Sequence, residues 1–367
     1  MLYYKTNTMV FFYSLTLALL AIYSYSQLDL NITLSKFQFW SQFRNVMVQL
    51  GYYHRFESTI IFASLMILLF VFHLLFMRHY KRHSAFRIAL ITTTILICSY
   101  PFLSHDFFNY MFDAKIFTYY QQNPYLHKAL DFPDAPELRF MHWTHRTYPY
   151  GPTFLPITLI PSFLGFGKFL VAYGMFKVMF ASFYLLGVWS LRRINEQWAM
   201  FFATQPLVLI EGLMNNHNDL IAVSLGLMSI QLIWSKKELP GRVFAILSGG
   251  IKYVTLPLLL VQKNPKSPYT RFAFGLVVIL LLYLSFSQEP QPWYFLSLLA
   301  FIPYMFELIK QLQIFFFGLV LSYYPFVLYG TWGETQNVVF KHRTMILFAM
   351  INLVVLVVQR KKLRPLW

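Results

Sequence analysis

An all-α, polytopic membrane protein of about ten to twelve membrane segments is the fold class this sequence predicts, and three observations carry the prediction. The chain is 57% hydrophobic and only 12% charged, against about 25% charged in average soluble domains. Apolar runs recur near the roughly 20 residues a helix needs to cross a ~30 Å hydrocarbon core. The basic residues fall in short clusters between those runs, the pattern that marks cytoplasmic loops.

The apolar segments lie near 9–26, 58–77, 86–103, 152–166, 168–191, 197–214, 218–235, 243–262, 271–287, 293–309, 313–330 and 345–359. The first has no small-residue cleavage site after it, so it reads as a signal anchor with a short cytoplasmic N-terminus. Basic clusters at 78–83, 192–193, 236–237 and 359–364 place those positions in the cytoplasm. Run 243–262 then has basic residues on both flanks and is interrupted by Gly249, Gly250 and Pro257, as expected of a broken helix that enters and returns. Parity makes 152–166, with its two prolines, a short or re-entrant segment on the outer side. Ten full and two partial segments result, with both termini in the cytoplasm and one domain over 1–367.

The net charge of +16 follows that inside bias, which argues against a nucleic-acid partner. The single cysteine, Cys98, excludes a disulfide framework and a thiolate metal site; in its apolar run it reads as a small buried or lipid-facing residue.

The orientation puts residues 104–151 outside. This stretch holds five of the fourteen acidic residues, Asp106, Asp113, Asp131, Asp134 and Glu137. Connections longer than about 12–15 residues tend to be functional or disordered, and this one is too aromatic for disorder. Asp106, Tyr110 and Asp113 share one face if 105–121 is helical, with Ser104 as its cap. Asp106, just beyond a membrane segment, suits a general base, because partial desolvation raises a carboxyl pKa toward neutrality. Residues 143–152, WTHRTYPYGP, set His142, His145 and Arg146 beside a rigid aromatic turn that includes Tyr148. The histidines lack a third ligand in sequence, so no metal is assigned.

Other outer elements converge on the same face. Residues 215–219, NNHND, sit at the break between two segments, where a capping turn is the plain alternative. Glu211 lies a turn earlier in an apolar stretch, and intramembrane carboxylates are costly. Lys252 is the only charge in run 243–262, too far from either flank to snorkel, and a lipid phosphate is its natural partner. Lys341 and Arg343 are basic where basic residues are scarce, and read as a clamp for an anionic group. No phosphate-binding or dinucleotide loop motif is present, so a nucleotide donor is not indicated.

The order of the pieces SHDFFNYMFDAKIF, QNPYL and TYPYGP resembles the GT-C glycosyltransferases, integral-membrane enzymes using polyprenyl-phosphate sugars. QPLVLIEGLMNNHND, GGIKYVTLPLLL and QPWYFLSLLAFIP are similar to motifs of the bacterial polyprenyl-phosphomannose-dependent α-1,6-mannosyltransferase branch, over about residues 86–309. The resemblance implies Asp106 as the first-loop acidic residue, His217, Asn218 and Asp219 as the outer HND element, Lys252 as the re-entrant lysine, and Trp293 and Tyr294 as the PWY element. Two segments precede the one leading into the catalytic loop, where that family usually has one.

The expected function is inverting transfer of a hexose, mannose by the resemblance, from a polyprenyl-phosphate donor to an acceptor hydroxyl outside the cytoplasm. The expected partners are the lipid-linked donor, a glycan or lipid-linked acceptor and membrane lipids; the expected location is the plasma membrane; no cofactor is expected. Asp106 is the catalytic residue, with Tyr110, Asp113, Tyr148, His217, Asn218, Asp219, Lys252, Trp293, Tyr294, Lys341 and Arg343 binding substrate. A secondary transporter or flippase for a lipid-linked or anionic substrate is the alternative, since broken helices, Glu211 and Lys252 would also serve one.

Overall fold

A computed structural model describes residues 2–358, and among these there is no β-strand. The helices are α1 (Leu2–Ser24), α2 (Gln38–Val48), α3 (Arg55–Arg78), α4 (Ala85–Leu96), α5 (Asp106–Thr118), α6 (Phe154–Leu164), α7 (Phe169–Arg192), α8 (Glu196–Thr204), α9 (Asp219–Trp234), α10 (Glu238–Gly249), α11 (Pro268–Ser287), α12 (Ile302–Ile309), α13 (Gln313–Leu321), α14 (Tyr324–Tyr329) and α15 (Thr335–Val358). Among the described residues six stretches are long and apolar enough to cross a membrane: Asn7–Gln27, Arg55–Arg78, Phe169–Arg192, Pro268–Ser287, Pro292–Tyr329 and Thr335–Val358. The chain is an all-α polytopic membrane protein.

Several expected apolar runs fold in pieces, and each break has a local cause. Run 197–214 ends its α-helix at Thr204, before Pro206, and continues as a π-helical turn, Val208–Met214, with Glu211 at its centre. Runs 293–309 and 313–330 join in one 38-residue stretch that opens with a 3₁₀ segment, Pro292–Phe301, before α12, α13 and α14. Run 243–262 is α10 followed, after Gly250, by the 3₁₀ segment Tyr253–Leu260, and the two pieces pack on each other. Arg242 closes this hairpin at its base by donating to the carbonyls of Leu259 and Val261 at 2.7 and 2.8 Å.

α9 forms the centre. Its residues are buried nearly all round, as expected of a helix apolar on every face, and it packs between α7 and α10. Hydrocarbon gives helices no hydrophobic reason to associate, so close packing and polar contacts decide the arrangement. Small residues supply the packing: Gly187 of α7 faces Phe202 and Ser224, and Gly226 of α9 faces Leu258. Polar links include Tyr13 with Thr92 at 3.0 Å, Tyr184 to the Ala203 carbonyl at 2.6 Å and Ser248 to the Ala222 carbonyl at 2.7 Å. Each is worth roughly 0.6 kcal/mol on average in a membrane, so the bundle rests on many such links rather than on one.

At one end of the bundle, α5 and the segment to Tyr150 form a folded cap. The start of α6 and the tip of the hairpin meet under it: the Thr153 N–H donates to the Gly250 carbonyl at 3.1 Å, and a Cβ on Gly151 would strike that same carbonyl. Gly151 is therefore required by close backbone approach. Beside the cap, α2 buries none of its own residues, and Phe37 and Phe39 near its start are about four-fifths exposed. Such a helix suits the plane of the lipid interface.

Topology can be read by labelling. In a Cys98→Ser background, since Cys98 is exposed, Gly333→Cys is expected to react with a membrane-impermeant maleimide in intact cells, whereas Glu238→Cys and Pro265→Cys are both protected. Reaction of just one of the latter pair would show that 243–262 crosses fully.

Candidate active site

Asp106 opens α5, where its carboxylate is favoured by the helix dipole. The N-cap position is His105, whose side chain makes no capping bond; Ser104, expected as the cap, instead accepts from the Asp106 N–H at 3.3 Å. One Asp106 oxygen accepts from the Trp143 indole N–H at 3.1 Å, and the Asn109 side chain holds the Trp143 carbonyl at 3.1 Å. The other carboxylate oxygen lies 3.7 Å from His217 Nδ1.

His217 is fully buried, stacked on the Trp293 ring at 3.9 Å, with its Nε2 3.3 Å from Glu211 Oε2. Glu211 in turn accepts from Asn215 at 3.3 Å. The widened π turn lets this carboxylate reach the HND segment, and Asn216 takes a left-handed φ of 59° to make the chain double back there. Lys177, the sole charge between Phe169 and Leu191, is buried and donates to the Met214 carbonyl at 3.0 Å. It anchors the turn that carries His217.

Asp219, at the start of α9, pairs with Lys252 at 3.1 Å. The aspartate side chain is 2% exposed and the lysine 22%, with the ammonium over the Tyr294 ring. Lys252 thus compensates a buried carboxylate while still reaching a cavity. Lys252→Met would strand Asp219, and breaking a buried pair costs several kcal/mol, about 3–5 when both partners are dry. The sequence reading gives this lysine a lipid phosphate as its partner, and the structure adds Asp219 as a partner within the protein.

The cavity has a volume of about 610 Å³. Its polar lining comprises Asp106, Arg146, Lys252, Glu289 and Gln291; Trp143, Tyr150, Trp293, Tyr294 and Trp332 form aromatic walls, and His105 and His142 line it beside Asp106. Arg146 spreads over the Trp143 ring at 4.9 Å and donates to the Tyr150 hydroxyl at 3.2 Å. Lys341, behind the rim, donates to Glu289 and Gln291 at 2.8 and 2.6 Å, so its charge positions the rim that leads into Trp293.

Of the residues singled out by sequence, Asp106, Lys252, Trp293 and Tyr294 line the cavity, and His217, Asp219 and Lys341 contact its lining or rim from behind. Tyr110 is buried among Tyr150, Phe154 and Phe180, and Tyr148 against Tyr125 and Tyr150. Neither borders the cavity, nor does Asn218, whose buried amide has no hydrogen-bond partner among the described residues. Asp113 is a buried residue two turns along α5 from Asp106. Arg343 is exposed on α15 and lines no part of the cavity. Arg146, rather than Arg343, shares the cavity lining with Lys252. Sequence reasoning placed Arg146 next to the aromatic turn without giving it a role, and it missed Trp143 and Lys177.

Burial pushes the Asp106 carboxyl upward, against the pull of Arg146, Lys252, the Trp143 N–H and His105. The same cause takes Asp113 to about 7, opposed by Arg146 and reinforced by Asp106. His142 drops to about 4 through desolvation and the neighbouring His105.

An all-helical membrane chain in which a carboxylate, two cations and aromatic walls share one cavity has the makings of a membrane enzyme acting on a polar substrate. The family model described as alpha-(1→6)-mannopyranosyltransferase, N-terminal domain, matches residues 16–262, and the chain belongs to that family. It is a membrane glycosyltransferase that transfers mannose. The matched region contains Asp106, Trp143, Arg146, His217, Asp219 and Lys252, while Glu289 to Tyr294 and Lys341 lie beyond it. No curated protein and no solved structure matched the chain.

Asp113 provides a stability test. A carboxyl raised from 3.8 to about 7 in the fold keeps its proton where the unfolded chain has lost it, so stability falls as pH rises from about 4 to 7. Asp113→Asn removes that loss. Its melting temperature should match wild type near pH 4 and exceed it increasingly up to pH 8.

Proposed function

We propose that the chain transfers mannose from a polyprenyl-phosphate carrier to an acceptor hydroxyl on the extracytoplasmic side of the plasma membrane, with inversion at the anomeric carbon. The observation that carries this reading is the placement of Asp106 in one cavity with Arg146 and Lys252. A base and an anion-binding pair are what displacement of a lipid phosphate requires, and about 610 Å³ is within the usual range for small-molecule sites.

In the proposed step the acceptor oxygen attacks the anomeric carbon while its proton passes to the Asp106 carboxylate. The bond between that carbon and the phosphate oxygen breaks, and the phosphate leaves with the electron pair. The Trp143 N–H holds the carboxylate in place, a prerequisite for a near-attack geometry. Arg146 is the better phosphate ligand, since its guanidinium is planar, fixed on Trp143 and Tyr150, and not engaged by a carboxylate among the described residues. Lys252 adds charge from the other side. Both stabilise charge that grows as the sugar departs. Trp293 and Tyr294 offer the apolar faces on which a sugar ring packs.

Asp106→Asn preserves shape but cannot take the proton, so turnover is expected to fall about 10²–10⁴-fold with donor binding retained. This is measured with radiolabelled polyprenyl-phosphate mannose and glycan acceptors in detergent; wild-type turnover in a folded Asp106→Asn protein would remove the base assignment. The sign of the pH dependence follows: the base works deprotonated, so kcat declines as pH drops through a raised Asp106 pKa, and the acid limb lies above the ordinary carboxylate range.

Arg146→Lys keeps the charge but loses the fork. It is expected to weaken donor binding and lower kcat together, because the contact strengthens in the transition state. Arg343→Ala, remote from the cavity, should leave both near wild type.

A further inference from the structure

We infer that Asp29, His105 and His142 form a divalent-metal site, of the chemistry that takes Zn²⁺, clasping the first outer segment to the loop that carries Asp106. The three side chains come from positions far apart in sequence. Asp29 follows the first membrane segment, His105 immediately precedes α5, and His142 lies in the aromatic part of the loop. Their candidate ligand atoms all lie within 4.8 Å of one another.

The geometry already goes much of the way to a coordination shell. Asp29 Oδ2 stands 3.6 Å from His105 Nε2, and donor atoms bound about 2.0–2.2 Å from one tetrahedral ion are roughly 3.3–3.6 Å apart. The His105 and His142 rings are stacked with centroids at 3.8 Å and planes 17° apart, which brings their nitrogens close, and rotation of the exposed His142 ring is what would aim both at one ion. His105 Nε2 is buried, on a side chain 10% exposed, and faces Asp29 Oδ2 at 3.6 Å, too far for a hydrogen bond. A buried nitrogen held just short of a hydrogen bond to a carboxylate leaves its lone pair unused, and an ion between the two would use both donors.

Asp29 is prepared for the role from outside the site. Its Oδ1 accepts from the Asn31 N–H at 2.8 Å and its own N–H donates to the Tyr100 hydroxyl at 3.3 Å. One carboxylate oxygen is thereby fixed and the other left for a ligand, the outer-sphere orientation that metal sites use. Two imidazoles and a carboxylate suit zinc and its first-row neighbours rather than magnesium or calcium, which prefer oxygen donors alone. Three protein ligands leave a fourth position for water.

The place of the site gives it a purpose. His105 adjoins Asp106, and His142 adjoins Trp143, the residue whose indole N–H holds Asp106 at 3.1 Å. An ion joining His105 to His142 therefore ties together the backbones on either side of that hydrogen bond. The histidines are positioning residues, and the metal readout does not depend on whether Asp106 is the base.

The test is elemental analysis of the full chain, purified in detergent through a histidine-free tag, stripped with EDTA, then equilibrated with Zn²⁺ and desalted. Wild type is expected to hold about one zinc per chain and to melt higher with zinc than without. His142 is exposed, so His142→Ala should fold, and its zinc affinity should fall by more than about tenfold, the scale on which even outer-sphere changes act. Asp29→Asn should do the same. His145→Ala, an exposed neighbour outside the triad, should keep the zinc and the shift in melting temperature. Wild type without zinc above buffer level, or His142→Ala holding as much as wild type, would overturn the site.

Discussion

The ion pair between Lys252 and Asp219 is the contact on which the cavity depends. Asp219 must sit at the first turn of α9, the most enclosed helix of the bundle, and a carboxylate there cannot remain ionised and uncompensated. The only charge on the broken segment 243–262 arrives to meet it at 3.1 Å. One contact thereby fixes the tip of the hairpin against the core helix, places an ammonium at the floor of the cavity, and sets Tyr294 beneath that ammonium. The neighbouring His217 then has Trp293 on one face and Asp106 within 3.7 Å. Polar groups that would be expensive separately become affordable as one connected set.

A second group of contacts holds the set in register from behind. Lys177 reaches the carbonyl of Met214, Glu211 occupies a π turn, and Lys341 spends its charge on Glu289 and Gln291. These residues do not face the cavity, yet they are charged and lie in or beside apolar stretches. Their role is the common one for intramembrane charges: each is matched to a partner whose position it determines.

Much of this was legible in the sequence because hydrocarbon makes polar residues conspicuous. Asp106, the HND segment, Lys252 and the PWY element stood out against apolar surroundings, and the glycines and proline of 243–262 announced the break at Gly250. Where sequence and placement part, rarity is a poor guide to which residues share the cavity. Arg343 stands out because basic residues are scarce in its neighbourhood, yet the cation that lines the cavity with Lys252 is Arg146, from a loop already rich in charge. Tyr110 and Tyr148 were read as ligands because they sit near Asp106 in sequence, but their rings pack in the aromatic interior of the cap. The triad of Asp29, His105 and His142 was invisible, since its first member lies 76 positions before its second. The breaks in runs 197–214 and 293–330 depend on Pro206 and on tertiary packing, which apolar run length does not report.

The meeting of Gly151 with Gly250 bears on how substrates enter. Two main chains pressed together leave no side chain between them to swing aside, so the cap and the hairpin tip behave at this point as a single mechanical piece. A sugar donor and its acceptor must therefore approach along the flanks of the cavity rather than by lifting the cap from the hairpin. Any opening that did separate them would carry Lys252 away from Arg146, parting the two cations that share the cavity. Access and charge are geared to each other by two residues that have no side chains at all.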